Sequence, residues 1–149
     1  MTACRKANIK RLLHMSALNA DAGRGASLYL RTKGEGENLT HAESGIAVTS
    51  FRPSVIFGPD DSFFNRFAAL LKTAPYFFPL VCPNARLAPV CIFDVVEAFA
   101  RALNNRATFG QRYDLCGPHS YTLKELVEYT AQQTGLKRHI IALGPFMSE

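Results

Sequence analysis

Short apolar runs alternate with longer segments of helical character along the first part of the chain. Residues 9–16 form an apolar run with a basic start, and residues 46–51 form a second run, rich in β-branched and aromatic side chains. Between these runs, residues 28–43 carry helix formers throughout. A strand, a helix and a further strand in succession form a right-handed crossover between parallel strands. The sequence therefore predicts a parallel α/β sheet.

The second part of the chain continues this alternation, with one interruption. Prolines punctuate residues 75–89, which argues against a regular central element there. Thr122 and Glu125 have the three-residue spacing of a capping box, and Asp94 is predicted to cap a helix of its own. The pattern predicts further helices after residues 60–62, at 94–104 and at 123–134, and further strands at 90–92, 112–117 and 139–143.

Composition narrows the class of protein. The chain has 149 residues, 48% of them hydrophobic, which suits one globular domain or a large piece of one. Its net charge of +5 is scattered rather than clustered, which argues against nucleic-acid binding. The four cysteines lack a metal-ligand spacing, so we expect no metal site and a reducing compartment. No apolar run approaches the roughly 18 residues of a membrane span. We expect a cytoplasmic or mitochondrial matrix-side protein.

Tyr29 and Lys33 are four residues apart in the predicted helix, so their side chains share one face. A nearby ammonium favours the phenolate form of a tyrosine, which lets the hydroxyl exchange a proton with a substrate alcohol or carbonyl. The same spacing also suits a surface helix with a tyrosine packed inward and a lysine in water. The spacing alone therefore does not identify a site.

The surrounding segments give the pair its context. Leu13-His14-Met15-Ser16 precedes it and residues 52–59, with the sequence RPSVIFGP, follow it. This order resembles the extended and atypical short-chain dehydrogenases, the superfamily that contains the nucleotide-sugar epimerases, and residues 89–96 and 115–126 continue the likeness. Residues 14–20 and 56–67 are most similar to the nucleotide-binding accessory subunit family of respiratory complex I.

The resemblance implies a nicotinamide site with NAD or NADP as cofactor, and no preference between the two can be predicted. Tyr29 would be the acid/base, Lys33 would bind the nicotinamide ribose, and Ser16 would supply a hydrogen-bond donor. The predicted catalytic residues are thus Tyr29, Lys33 and Ser16, and the predicted cofactor-binding residues are Tyr29, Lys33, Pro53, Ser54, Val55 and Ile56.

Two departures from the family pattern qualify these roles. Ser16 lies only thirteen residues before Tyr29, and alignment of the strand places the catalytic hydroxyl position on Ala17. A glycine-rich strand–turn–helix segment for the pyrophosphate is also absent, because neither Gly34-Glu35-Gly36 nor Gly23-Arg24-Gly25 follows a strand directly.

We therefore expect a single partial domain over residues 1–149, with a partial Rossmann-like parallel sheet. Residues 1–58 would be the second half of a dinucleotide-binding domain, and residues 59–149 a small α/β substrate-type region with the late sheet elements. The chain alone should bind a dinucleotide weakly or not at all. The sheet edge beside residues 9–16 should be open to self-association or to a protein partner.

Three functions fit this sequence. The first is an NAD(P)-binding protein resembling the respiratory accessory subunit, held peripherally at a membrane by its complex. The second is an active reductase or a nucleotide-sugar epimerase or dehydratase, whose substrate the sequence does not specify. The third is a non-catalytic assembly module.

Overall fold

The computed structural model describes residues 2–143. In chain order the elements are α1 (Thr2–Lys6), β1 (Arg11–Met15), α2 (Leu28–His41), β2 (Ala47–Pro53), β3 (Ile56–Phe57), α3 (Phe64–Thr73), β4 (Phe77–Val81), β5 (Arg86–Leu87), β6 (Val90–Cys91), α4 (Ile92–Leu103), a 3-10 turn (Arg106–Thr108), β7 (Arg112–Leu115), β8 (Tyr121–Thr122), α5 (Leu123–Gln133) and β9 (His139–Leu143). They form two compact units, residues 2–54 with Ile92–Cys116 and Val55–Cys91 with residues 117–143.

A three-stranded parallel sheet is the centre of the first unit. Its order is β1-β2-β7, with Leu13 opposite Thr49 and Phe51 opposite Tyr113. The middle strand β2 is almost wholly buried, whereas β1 is only partly buried. The predicted α/β class with a parallel sheet is confirmed, and among the described strands β1 lies at an edge.

Two helices of the first unit show how local sequence sets their position. Ser27 caps α2 by accepting a hydrogen bond from the Leu30 N–H. Helix α4 buries Val95 and Ala102 fully and contacts β1 and β2. The predicted cap at Asp94 was wrong, because the helix already begins at Ile92 and Asp94 lies within its first turn. A carboxylate there still interacts favourably with the helix dipole.

The second unit contains three two-stranded sheets. β3 pairs with β6 and β4 pairs with β9 in parallel, and β5 pairs with β8 in antiparallel orientation. Helices α3 and α5 pack against each other. Their apolar side chains and those of β4 form one buried cluster, made of Leu71, Phe78, Leu80, Val127 and Ala131.

The ends of α5 follow the sequence prediction, whereas β4 does not. Thr122 and Glu125 form the reciprocal capping box, and Gly135 after the helix has a φ of +70°. β4 was missed because its third residue is Pro79, which lacks an N–H to donate. The strand is tolerated because it belongs to a two-stranded sheet, where it has only one partner strand.

Candidate functional site

Tyr29 and Lys33 lie in the first two turns of α2, close to the end of β1. The Lys33 ammonium is 5.9 Å from the centre of the Tyr29 ring and donates a 3.2 Å hydrogen bond to the carbonyl of Met15. Tyr29 is 59% exposed. The two groups that the sequence predicted as a pair are thus neighbours, and the phenol is accessible to a ligand.

The loop between β1 and α2 is held tightly against the helix. Asp21 accepts hydrogen bonds from the N–H groups of Gly23 and Arg24, which lower the pKa of its carboxyl. Gly34 allows α2 to touch this loop, because a Cβ added there would lie 2.5 Å from the backbone nitrogen of Ala22. Gly34 therefore marks a close approach of the helix to the loop, whereas a Cβ added at Gly36 would meet no atom within 4 Å.

A buried carboxylate lies on the same side of α2, one turn beyond Lys33. Glu37 is fully buried. Its carboxylate accepts three hydrogen bonds from Arg52, at 2.7, 3.0 and 3.2 Å, and one of 2.6 Å from Nε of Arg112. Arg52 thus forms an ion pair with a buried carboxylate.

Electrostatics explain how this carboxylate remains charged. Burial alone would raise the pKa of Glu37, but hydrogen bonds from Arg52 and Arg112 and the charge of Arg52 hold it at about 2. The pKa of Arg52 is raised in turn by its hydrogen bonds to Glu37. A network in which one anion faces two cations is stable only if hydrogen bonds replace the lost water, and here they do.

Two histidines adjoin this network. Burial lowers the pKa of both His14 and His41, so both imidazoles are neutral near pH 7. His41 lies 2.9 Å from the Ser50 hydroxyl through Nε2 and is only partly exposed.

The remaining predicted site residues occupy different surroundings. Ser16 is buried, and within residues 2–143 its hydroxyl oxygen has no hydrogen-bond partner. Pro53 and Ser54 end β2, where their backbone groups bond to Leu18 and Leu115. Val55 and Ile56 belong to the second unit. The structure thus groups Tyr29 with Lys33 and buries Ser16.

A separate cleft of about 940 Å³ lies within the second unit. Its walls are mainly apolar and come from the end of β3, from α3 and from α5. Representative wall residues are Phe57, Phe64, Pro118 and Tyr129, and His119 also lines the cleft.

Comparison with solved structures defines the class of fold. The UDP-glucose 4-epimerase of Thermus thermophilus, solved with NAD, matches 97% of this chain and 55% of its own with a TM-score of 0.76 at 21% identity. The dTDP-glucose 4,6-dehydratase of Bacillus anthracis, also solved with NAD, matches 96% of this chain and 53% of its own with a TM-score of 0.76 at 16% identity. The chain has the Rossmann-like fold of these epimerases and dehydratases.

Sequence comparison identifies more particular relatives. Subunit 9 of the NADH dehydrogenase [ubiquinone] 1 alpha subcomplex, a mitochondrial protein, is 32% identical over 133 residues in Rattus norvegicus and 29% identical over 133 residues in Dictyostelium discoideum. These alignments cover 85% and 87% of this chain. The chain is homologous to these respiratory subunits, as the sequence motifs predicted.

The chain aligns with only part of each relative. It spans about a third of the length of the relatives, 33% for the rat protein and 36% for the Dictyostelium protein. No protein-family model matches it. Within residues 2–143, no helix combines the length and the apolar character needed to cross a membrane.

Sequence reasoning missed Glu37 as part of the site. A signal was present, because residues 29, 33 and 37 follow each other at intervals of four and therefore share one side of a helix. Arg112 carried no comparable signal, since it is 75 residues away in sequence and meets Glu37 only through the pairing of β7 with β2.

Proposed function

We propose that the first unit forms the nicotinamide-side wall of an NAD(P) site and that the chain serves as a nucleotide-binding accessory component, as in its respiratory relatives. Tyr29 and Lys33 would contact the nicotinamide and its ribose, and Pro53 and Ser54 would lie beside the ring. Val55 and Ile56, in the second unit, stay predicted cofactor contacts. The choice between NAD and NADP stays open.

The observation that carries the proposal is the pairing of an exposed phenol with an ammonium at the end of a parallel strand. Ligands of open α/β sheets bind outside the carboxyl ends of the strands. Lys33 is fixed at such an end by its bond to Met15, and Tyr29 extends from the same side of the helix. The NAD-bound epimerase and dehydratase with this fold add support.

The buried state of Ser16 favours binding over turnover. A hydride-transfer site needs a donor for the substrate oxygen, and a missing donor weakens the chemistry by orders of magnitude. Ser16 is only 3% exposed, so its hydroxyl is not accessible to a substrate. We therefore propose a chiefly structural role for the cofactor, with catalysis as the competing hypothesis. Catalysis would require cofactor turnover that collapses in Tyr29→Phe.

Fragments of the cofactor test the proposal on the chain itself. We expect nicotinamide mononucleotide to bind weakly and saturably and to shift the NMR signals of Tyr29 and Lys33, whereas 5′-AMP, the other half of the cofactor, should cause no shifts there. Lys33→Met should abolish the response, and the matched control Lys72→Met, on an exposed position of α3, should keep it.

Two results would contradict the proposal. Equal responses to the two fragments would show that the wall does not recognise nicotinamide. Tight NADH binding by the chain alone, measured by calorimetry, would contradict the proposal that this chain forms only the nicotinamide-side wall of the cofactor site. We also expect stronger NADH binding when the chain is joined to the part of the rat subunit that the alignment leaves uncovered.

We further propose that the chain associates peripherally with a respiratory NADH dehydrogenase. Its relatives bear the name of that complex and are mitochondrial. A tagged chain should migrate with NADH dehydrogenase activity on a native gel of mitochondrial or bacterial membranes. Migration only as the free chain would contradict this part of the proposal.

A further inference from the structure

We propose that Glu37 is a positioning residue that fixes both parts of the proposed nicotinamide wall, the Tyr29–Lys33 pair on α2 and the carboxyl end of β2. This inference rests on the proposed function. Glu37 itself would not touch the cofactor, since it is fully buried. Its effect would reach the ligand through the two elements that it joins.

The first step concerns α2. Lys33 and Glu37 are one helical turn apart, so the rotation of α2 that places one of them also places the other. Glu37 is tied to the sheet by hydrogen bonds from Arg52 on β2 and Arg112 on β7. At Gly34 the helix abuts the backbone of the preceding loop. These two fixed points leave α2 little freedom to rotate or slide.

The second step concerns β2. Arg52 immediately precedes Pro53 and Ser54, the residues proposed to lie beside the nicotinamide ring. Both Nε and a terminal nitrogen of Arg52 bond to Glu37, a forked geometry that a lysine could not reproduce. The carboxylate therefore orients the end of β2 as well as the helix.

A structural role alone would not need this arrangement at the site. The first unit has other ion pairs, such as Glu97 with Arg101 at 2.5 Å on α4, and their side chains are 57% and 78% exposed. Exposed pairs of this kind contribute little to stability. Within residues 2–143, Glu37 is the fully buried acidic residue, and it lies one turn from Lys33.

The test compares Glu37→Gln with the control Glu97→Gln in the isotope-labelled chain. Gln keeps the size of the side chain but loses its charge. We expect Glu37→Gln to remove the nuclear Overhauser effect between the Lys33 ε-methylene and the Tyr29 ring, and to weaken nicotinamide mononucleotide binding roughly tenfold, within the range typical of coupled sites. Glu97→Gln should change neither.

Arg52→Lys is the second variant, in case Glu37→Gln does not fold. It keeps the charge but removes the fork, so we expect a smaller loss of both signals. Variants that unfold at lower temperature yet keep the Lys33–Tyr29 contact and the affinity would overturn the positioning role.

The outcomes separate the two proposals. If Lys33→Met abolishes nicotinamide mononucleotide binding but Glu37→Gln leaves it unchanged, the positioning proposal fails and the proposed function stands. If the unaltered chain does not bind the fragment, the proposed function fails. The Lys33–Tyr29 contact then still decides whether Glu37 positions the pair.

Discussion

Acid should weaken the first unit through Glu37, and Glu37→Gln should remove most of that sensitivity. The pKa of Glu37 is about 2 in the folded chain, against a usual 4.5. A carboxyl whose pKa is depressed on folding stabilises the fold above its unfolded pKa. That contribution is lost as pH falls through the folded pKa. The relevant window therefore runs from about pH 5 down to about pH 2.

The magnitude follows from the same two values. The separation between 4.5 and about 2 corresponds to about 3 kcal/mol of folding free energy at pH 7. Because Glu37 is fully buried, solvent screening does not reduce this figure much. Between pH 7 and pH 3 about 2 kcal/mol of it should disappear. Asp21 and Glu125 also have lowered pKa values, but they are present in both proteins and cancel in the difference.

The assay is urea unfolding of the unaltered chain and of Glu37→Gln, followed by circular dichroism at pH 7 and pH 3. We expect the variant to be less stable by about 3 kcal/mol at pH 7 and by only about 1 kcal/mol at pH 3. Glu97→Gln should show a small difference that hardly depends on pH, because that side chain is exposed. A stability difference for Glu37→Gln that is the same at both pH values would refute the reasoning.

Three substitutions test local packing and capping by thermal unfolding. Gly34→Ala should lower the free energy of unfolding by roughly 2 kcal/mol, because its Cβ would lie 2.5 Å from the Ala22 nitrogen and the backbone must move. Gly36 lies in the same helix, and a Cβ added there would have no atom within 4 Å. Gly36→Ala should therefore raise the free energy of unfolding by about 1 kcal/mol. Equal effects of the two substitutions would contradict the close approach at Gly34. Thr122→Ala should lower the free energy of unfolding by about 1 kcal/mol. It removes the hydroxyl half of the capping box and leaves the bond to the Glu125 carboxylate in place.

The sequence predicted those features of the fold that depend on local pattern. Short stretches of about ten residues are enough to recognise the apolar run of β1, the helix formers of α2 and the β-branched run of β2. The order of these three elements implies parallel pairing of the strands. The capping box at Thr122 is similarly local. Features that depend on context were less accessible. Pro79 argues against a central strand, and β4, which has a single partner strand, could not be predicted from the prolines alone.

The candidate site shows the same division. Tyr29 and Lys33 could be paired from their spacing, since one helix holds both. The partners of Glu37 could not be predicted from spacing, because Arg52 and Arg112 reach it from two strands of the sheet. The direction of the Ser16 side chain is also a tertiary property. A residue that ends a strand can face either side of the sheet, and its number in the sequence does not decide which.

The burial of the Ser16 side chain bears on the choice between binding and catalysis in the proposed site. The Ser16 hydroxyl is buried and has no hydrogen-bond partner within residues 2–143. Glu37, in contrast, is bonded to Arg52, which directly precedes Pro53. Selection for a bound, unreacted dinucleotide requires the wall and its fixed points but not the donor. Under the proposed function, the buried Glu37 network and the buried Ser16 side chain would suit a site that holds a nicotinamide in place rather than one that transfers hydride.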